Sequence, residues 1–169
     1  MTSFPSGCTL IGLPGSGKST VGIQLAKAIV RPFVDTDIEL QRTIGMSLQQ
    51  YLDRFGVEAL REVEAECVCA LELAGYVVAT GGSVVYSEDA MTSLKSQSKI
   101  IYLEVSFATM TDRLGDYGDR GIAADVSSGL ERMFEERVRL YEHFADVTVD
   151  ANQSVPAVLE NVLQELKAF

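Results

Sequence analysis

Apolar and polar positions along this chain alternate between two periods, and the alternation sets out its elements before any motif is considered. Short apolar runs at 8–13, 33–36, 76–80, 99–105 and 146–149 read as strands. Between them apolar residues return every three or four positions; Val21, Leu25, Ala26 and Ile29 after the first run are one such helix face. Strands alternating with helices predict a parallel sheet with helices on both faces. Four of the runs carry almost no internal charge, as strands covered on both sides should. Cys8-Thr9-Leu10-Ile11 and Tyr76-Val77-Val78-Ala79-Thr80 are the most apolar, and are expected at the centre of the sheet.

Two segments depart from this rhythm. Residues 37–74 form a long helical insert between the second and third strands, punctuated by Gly45 and Gly56, with Ser47 ahead of Leu48 and Gln50 as a capped helix start. An insert of this length is expected to build a substrate-binding subdomain over a site. Residues 115–129, rich in glycine and small polar residues, suggest a mobile lid, an ordinary surface loop being the alternative. No internal repeat, low-complexity tract or linker divides the chain, so its 169 residues are expected to form one domain, 1–169.

Composition narrows the class. Hydrophobic residues make up 47% and charged residues 22%, as in soluble globular proteins. No apolar run approaches the roughly 20 residues that cross a bilayer, and the first residues lack the basic and apolar regions of a signal peptide; a cytoplasmic protein without a membrane partner is expected. The net charge of -10 argues against nucleic acid as a partner, which requires a basic footprint. Cys8, Cys67 and Cys69 have neither zinc-knuckle nor CxxC spacing, and are expected as buried or half-buried thiols. His143 has no partner at ligand spacing and is read as a helix-face residue.

The chemistry is concentrated after the first strand. Gly12-Leu13-Pro14-Gly15-Ser16-Gly17-Lys18-Ser19-Thr20 fits GxxxxGK[ST], lying between a strand and a helix as that pattern requires. Its glycines let successive backbone N–H groups turn toward one anion, and the helix N-terminus adds unpaired donors and a positive dipole end. Lys18 suits the outer phosphates of a nucleotide, and the Ser19 hydroxyl suits a bridging magnesium ion.

Other groups fall at the carboxyl ends of the strands, where open α/β sheets bind ligands. Asp35-Thr36-Asp37 offers two carboxylates two positions apart, one for a metal and one for an accepting hydroxyl, unless it is only a solvated strand end. Arg61 and Glu64 are neighbours on one helix face, either a surface ion pair or an arginine oriented for a substrate carboxylate. Thr80-Gly81-Gly82-Ser83 is a second glycine turn that offers backbone donors. Arg113, Arg120 and Arg137 flank or lie in the suspected lid, and suit phosphoryl charge or internal carboxylates. Asp53-Arg54-Phe55-Gly56 matches the DxxG of GTPase switches, but it follows no strand and the chain has no NKxD, so it is set aside.

In this order and spacing the elements resemble the shikimate kinase family of P-loop, nucleoside-monophosphate-kinase-like proteins. The matching pieces are the Gly12 to Thr20 loop, Asp35-Thr36-Asp37, Gly56 with Arg61 and Glu64, Gly81-Gly82, Arg113 with Arg120, Glu136-Arg137 with Tyr141 and Ala145, and Asp150-Ala151-Asn152 with Pro156. The resemblance implies a five-stranded parallel sheet, ATP and magnesium (Mg2+) as cosubstrates, and γ-phosphoryl transfer to the 3-hydroxyl of shikimate by a protein expected to be a monomer. It further implies that Gly15, Ser16, Gly17, Lys18, Ser19 and Thr20 hold the phosphates, with Ser19 and Asp35 serving the metal. Asp37 would hold or deprotonate the accepting hydroxyl, and Arg61, Arg137, Gly81 and Gly82 would grip the acceptor. Lys18, Asp37 and Arg120 would carry catalysis, Arg120 from the lid, while Arg113 and the stretch from Asn152 to Pro156 would enclose the adenine.

The chain departs from the family pattern at two places. Ser83 stands where the family commonly has a third glycine, and Gly121 follows Arg120 where a proline is usual. These departures keep open a kinase for another small hydroxy acid or an aminoshikimate-like acceptor. A nucleotide-binding switch without chemistry is the alternative from a different class.

Overall fold

The computed structural model describes residues 7–115 and 129–167. Its strands are β1 Cys8–Ile11, β2 Phe33–Asp35, β3 Val77–Ala79, β4 Lys99–Glu104 and β5 Val147–Asp150, and they form one sheet in the order β2-β3-β1-β4-β5. Every pairing is parallel, with Leu10 of β1 aligned to Ala79 on one side and to Ile101 on the other. The sheet expected from the apolar runs is therefore present, with β1 at its centre and β3 beside it. Each run reaches a residue or two beyond its strand in most cases, because the ladder stops where the chain turns out into the loops of the cleft.

The helices are α1 Lys18–Ile29, α2 Thr36–Ile44, α3 Leu48–Ala70, α4 Glu88–Gln97, α5 Phe107–Leu114, α6 Gly129–Phe144 and α7 Val155–Lys167, with a 3-10 turn at Val84–Tyr86. All four residues of β1 are buried, so both faces of the sheet are covered. A large apolar cluster runs from Leu10 and Leu25 through Val78, Met91 and Tyr102 to Val162. Gly22 lets α1 lie close to β2, since a Cβ there would sit 2.7 Å from the Phe33 ring.

Residues 37–74 contain α2 and α3. Ser47 and Gln50 form a reciprocal capping box at the start of α3, satisfying two orphan N–H groups. Gly56, at φ 85 and ψ 173, interrupts α3 so that its second half runs back toward the sheet edge with Arg61 and Glu64. The two helices share a small apolar cluster of their own around Leu40 and Leu60. Most of the suspected lid, including Arg120, lies outside the described residues.

Candidate active site

The carboxyl ends of β1, β2 and β3 open into a cleft of about 910 Å³. Gly17 enters α1 with φ 93 and no side-chain cap, leaving the first N–H groups of the helix for a ligand. Gly15, at φ 77, lies beside Arg113, whose Cβ would be 3.4 Å from a Cβ placed on the glycine. Lys18 is nearly buried and donates to the Gly12 carbonyl at 2.7 Å and the Leu13 carbonyl at 2.8 Å, with the Ser16 hydroxyl 3.4 Å away. Burial holds its ammonium down at about 8, against the opposing pull of Asp37, Asp35 and Glu64. A desolvated ammonium held only by uncharged oxygens keeps its charge to offer an anion.

Asp35 ends β2 and caps α2, its Oδ1 accepting from the Asp37 N–H at 3.0 Å, while its Oδ2 accepts from the Ser19 hydroxyl at 2.6 Å. Hydroxyl and carboxylate oxygens are the donors magnesium takes. Among the described residues no group of three His, Cys, Asp or Glu side chains could cage a metal by itself. Two such oxygens would suit a cation that draws the rest of its shell from water and ligand oxygens.

The opposite wall forms around the second glycine turn. Thr80 ties this turn to β1, its N–H and hydroxyl both donating to the Leu10 carbonyl, at 3.2 and 3.0 Å. A Cβ on Gly81 would collide with Glu64 Oε1 and lie 2.7 Å from Asp37 Oδ1, so both carboxylates pack against the bare backbone here and would have to shift for any larger residue. The Gly82 carbonyl accepts from the Tyr141 hydroxyl at 2.6 Å, and Arg137 Nη1 would be 3.0 Å from a Cβ there. Arg137 is 1% exposed yet reaches the cleft wall. Its Cζ is 5.4 Å from the Tyr86 ring centre, and that of Arg61 only 3.9 Å from the same ring, a cation–π arrangement.

Glu64 is 4% exposed and accepts a short hydrogen bond from the Ser83 hydroxyl. Burial pushes its carboxyl up to about 7, with Asp37 adding to the rise and Ser83, Arg137 and Arg61 opposing it. Sequence spacing paired Glu64 with Arg61; the fold also gives it Ser83, 19 residues away, as a hydrogen-bond donor.

At the third wall Arg113 donates to the carbonyls of Gly15 at 3.2 Å and Ala151 at 2.9 Å, joining α5 to the phosphate loop and to the turn after β5. Gln153, Ser154 and Val155 line the cleft here. Their neighbours Asn152 and Pro156 are not part of that wall, and the Asn152 side chain is tied to Asp150 and to the Ser106 N–H. Arg61 likewise stands outside the cleft wall, and Ser16 is buried within the loop. Tyr86 was missed by sequence reasoning, because no spacing marks an aromatic that meets two arginines only after folding. Cys8 is buried and Cys67 half-buried as expected, but Cys69 is exposed, since it faces outward in the last turn of α3. His143 is an exposed residue of α6 packed edge-on against Phe144.

The shikimate kinase family model matches residues 14–167. The shikimate kinase of Enterococcus faecalis is 33% identical over 162 residues, covering 94% of this chain and 96% of that protein. The crystal structure of shikimate kinase from Aquifex aeolicus superposes with a TM-score of 0.82 at 29% identity, covering 96% of each chain. That of shikimate kinase from Acinetobacter baumannii in complex with shikimate gives 0.86 at 24% identity, over 97% of this chain and 94% of that one, a likeness of fold. With the phosphate loop, the paired aspartates and the arginine-lined turn in one cleft, and the match running nearly from end to end, the chain belongs to the shikimate kinase family.

Proposed function

We infer that the protein transfers the γ-phosphoryl group of ATP to the 3-hydroxyl of shikimate, giving ADP and shikimate 3-phosphate. The observation that carries this reading is the meeting, in one cleft, of Lys18 and the phosphate loop with Asp37, Arg137 and the Gly81-Gly82 turn. A nucleotide switch has no use for a second, carboxylate-binding wall facing the outer phosphates.

The residues divide the work by position. The N–H groups of the loop and of the first turn of α1 would receive the phosphates, and Lys18 would turn from the Gly12 and Leu13 carbonyls to the outer ones. Ser19 and Asp35 would hold magnesium, which when bound neutralises phosphate charge and orients the transferred group. Asp37, in the first turn of α2, would accept the proton of the attacking hydroxyl. Arg137 and Arg61 would take the carboxylate of the acceptor, Gly81 and Gly82 its ring hydroxyls, and Arg120 would add charge over the phosphates. Arg113 and the stretch from Asn152 to Pro156 would hold the adenine side. Ser83 does not open the site to a different acceptor in this reading, because its hydroxyl is engaged by Glu64. The three free thiols favour a reducing, cytoplasmic setting, and the net charge of -10 favours small molecules over nucleic acid as partners.

A coupled assay of ADP release tests the assignment. Turnover should require both shikimate and magnesium, and no shikimate-dependent signal at saturating ATP would reject it. Arg137→Ala should raise the KM for shikimate on the order of 10- to 100-fold, the worth of a charge-assisted hydrogen bond, with little change for ATP. Equal loss for both ligands would contradict its place on the acceptor wall.

A further inference from the structure

The turn that closes the acceptor side ends in a buried hydroxyl. Ser83 is 9% exposed, lies at the cleft wall, and donates to Oε2 of Glu64. The other oxygen of that carboxylate, Oε1, flanks Gly81 on the side where Asp37 Oδ1 also lies. Glycine or alanine at 83 would offer no donor, leaving Oε2 desolvated and unpaired or the side chain turned elsewhere.

We propose that Ser83 is a positioning residue for the acceptor: its hydroxyl fixes Glu64 in one orientation against the Gly81 turn, which in turn sets the place of Asp37 and the arginines that meet the acceptor. The inference rests on the kinase reading given above. Glu64 is faced by Asp37 from α2, Arg61 and Cys67 from its own helix, Lys18 from α1, and Arg137 and Tyr141 from α6. Among these groups carboxylate repels carboxylate and the cations attract, so the donor on Oε2 favours the ionised form of Glu64 that the arginines require.

The test has one arm without ligand and one with. Carbon-13 titration of the Glu64 carboxyl in the unliganded protein should show Ser83→Ala and Ser83→Gly each raising its proton affinity about tenfold, the value of a hydrogen bond to a charged group. The same variants should raise the KM for shikimate about tenfold near neutral pH, recover at higher pH, and leave the KM for ATP within about twofold. Adding Ser83→Ala to Glu64→Ala should produce no further change, because no side chain is then left at 64 for the hydroxyl to hold.

An unmoved titration, or equal increases in both KM values, overturns the role of Ser83. So does failure of both variants to fold, which would assign the hydroxyl to stability alone. A moved titration in a protein whose wild type ignores shikimate leaves Ser83 coupled to Glu64 and overturns the acceptor assignment instead.

Discussion

Glu64 makes the unliganded protein less stable as the pH rises from about 5 to about 8, and the size of the loss follows from its burial. Its carboxyl, 4% exposed, is pushed from an ordinary 4.5 up to about 7, chiefly by desolvation. Below the ordinary value both folded and unfolded chains hold the proton. Between the two values the folded chain holds a proton that the unfolded chain has released, so each pH step upward favours unfolding. Above about 7 both forms are ionised and the contribution is gone. At about 1.4 kcal/mol for each pH step, the interval amounts to roughly 3 kcal/mol, a sizeable part of the stability of a domain this size. Lys18, held at about 8, titrates at the upper end of this window and does not produce a slope through pH 5 to 7. Urea unfolding at about pH 5 and pH 8 for the wild type and Glu64→Gln checks the assignment, because glutamine keeps an acceptor for Ser83 but cannot ionise. The wild type should lose roughly 3 kcal/mol more than the variant across that range. The same pH dependence in both proteins would refute the reasoning.

Gly81→Ala should lower kcat/KM for the acceptor about 100-fold or more while leaving nucleotide affinity near wild type, since the new Cβ displaces Glu64 and Asp37 but not the phosphate loop. A variant with wild-type acceptor kinetics would show that these carboxylates need not stay where they are. Tyr102→Phe should leave stability unchanged or raise it by about 1 kcal/mol, because the hydroxyl is buried without a hydrogen-bond partner among the described residues while the ring keeps its stack on Tyr141 at 5.1 Å. Thermal unfolding decides, and a clear loss of stability would mean that the hydroxyl is satisfied after all.

The sequence exposes those parts of the molecule whose physics is local. Strand identity is legible for β1 and β3 because a strand buried on both faces cannot tolerate charge, and the other apolar runs become strands of the same sheet. The Ser47 and Gln50 cap is legible because the two residues satisfy each other across a single turn. The phosphate loop is legible because anion binding by backbone N–H groups requires glycine at fixed positions. By contrast, Tyr86 under two arginines, the Tyr141 hydroxyl on Gly82 and the Ser83 hydroxyl on Glu64 join elements distant in the chain. No period or spacing carries such pairs, and Cys69 facing outward has the same origin, since helix orientation is settled by packing.

The sheet order explains why two glycine turns, far apart in the chain, come to line one cleft. β3 lies between β2 and β1, so the loops leaving all three emerge side by side at one edge: the Asp35 cap, the Gly81 turn and the phosphate loop. The Thr80 N–H and hydroxyl on the Leu10 carbonyl then fasten the acceptor turn to the strand that carries the phosphate loop. Movement of one relative to the other would break both bonds and the β1–β3 ladder, so their spacing is held by the core rather than by loop contacts. Rigid spacing at this place is what in-line transfer demands, because misplacing the attacking oxygen by even an ångström sacrifices much of the rate. On the other side β4 brings α5 and Arg113 against the same loop, which puts the phosphate loop where the sheet order changes direction and ligands of open α/β sheets bind.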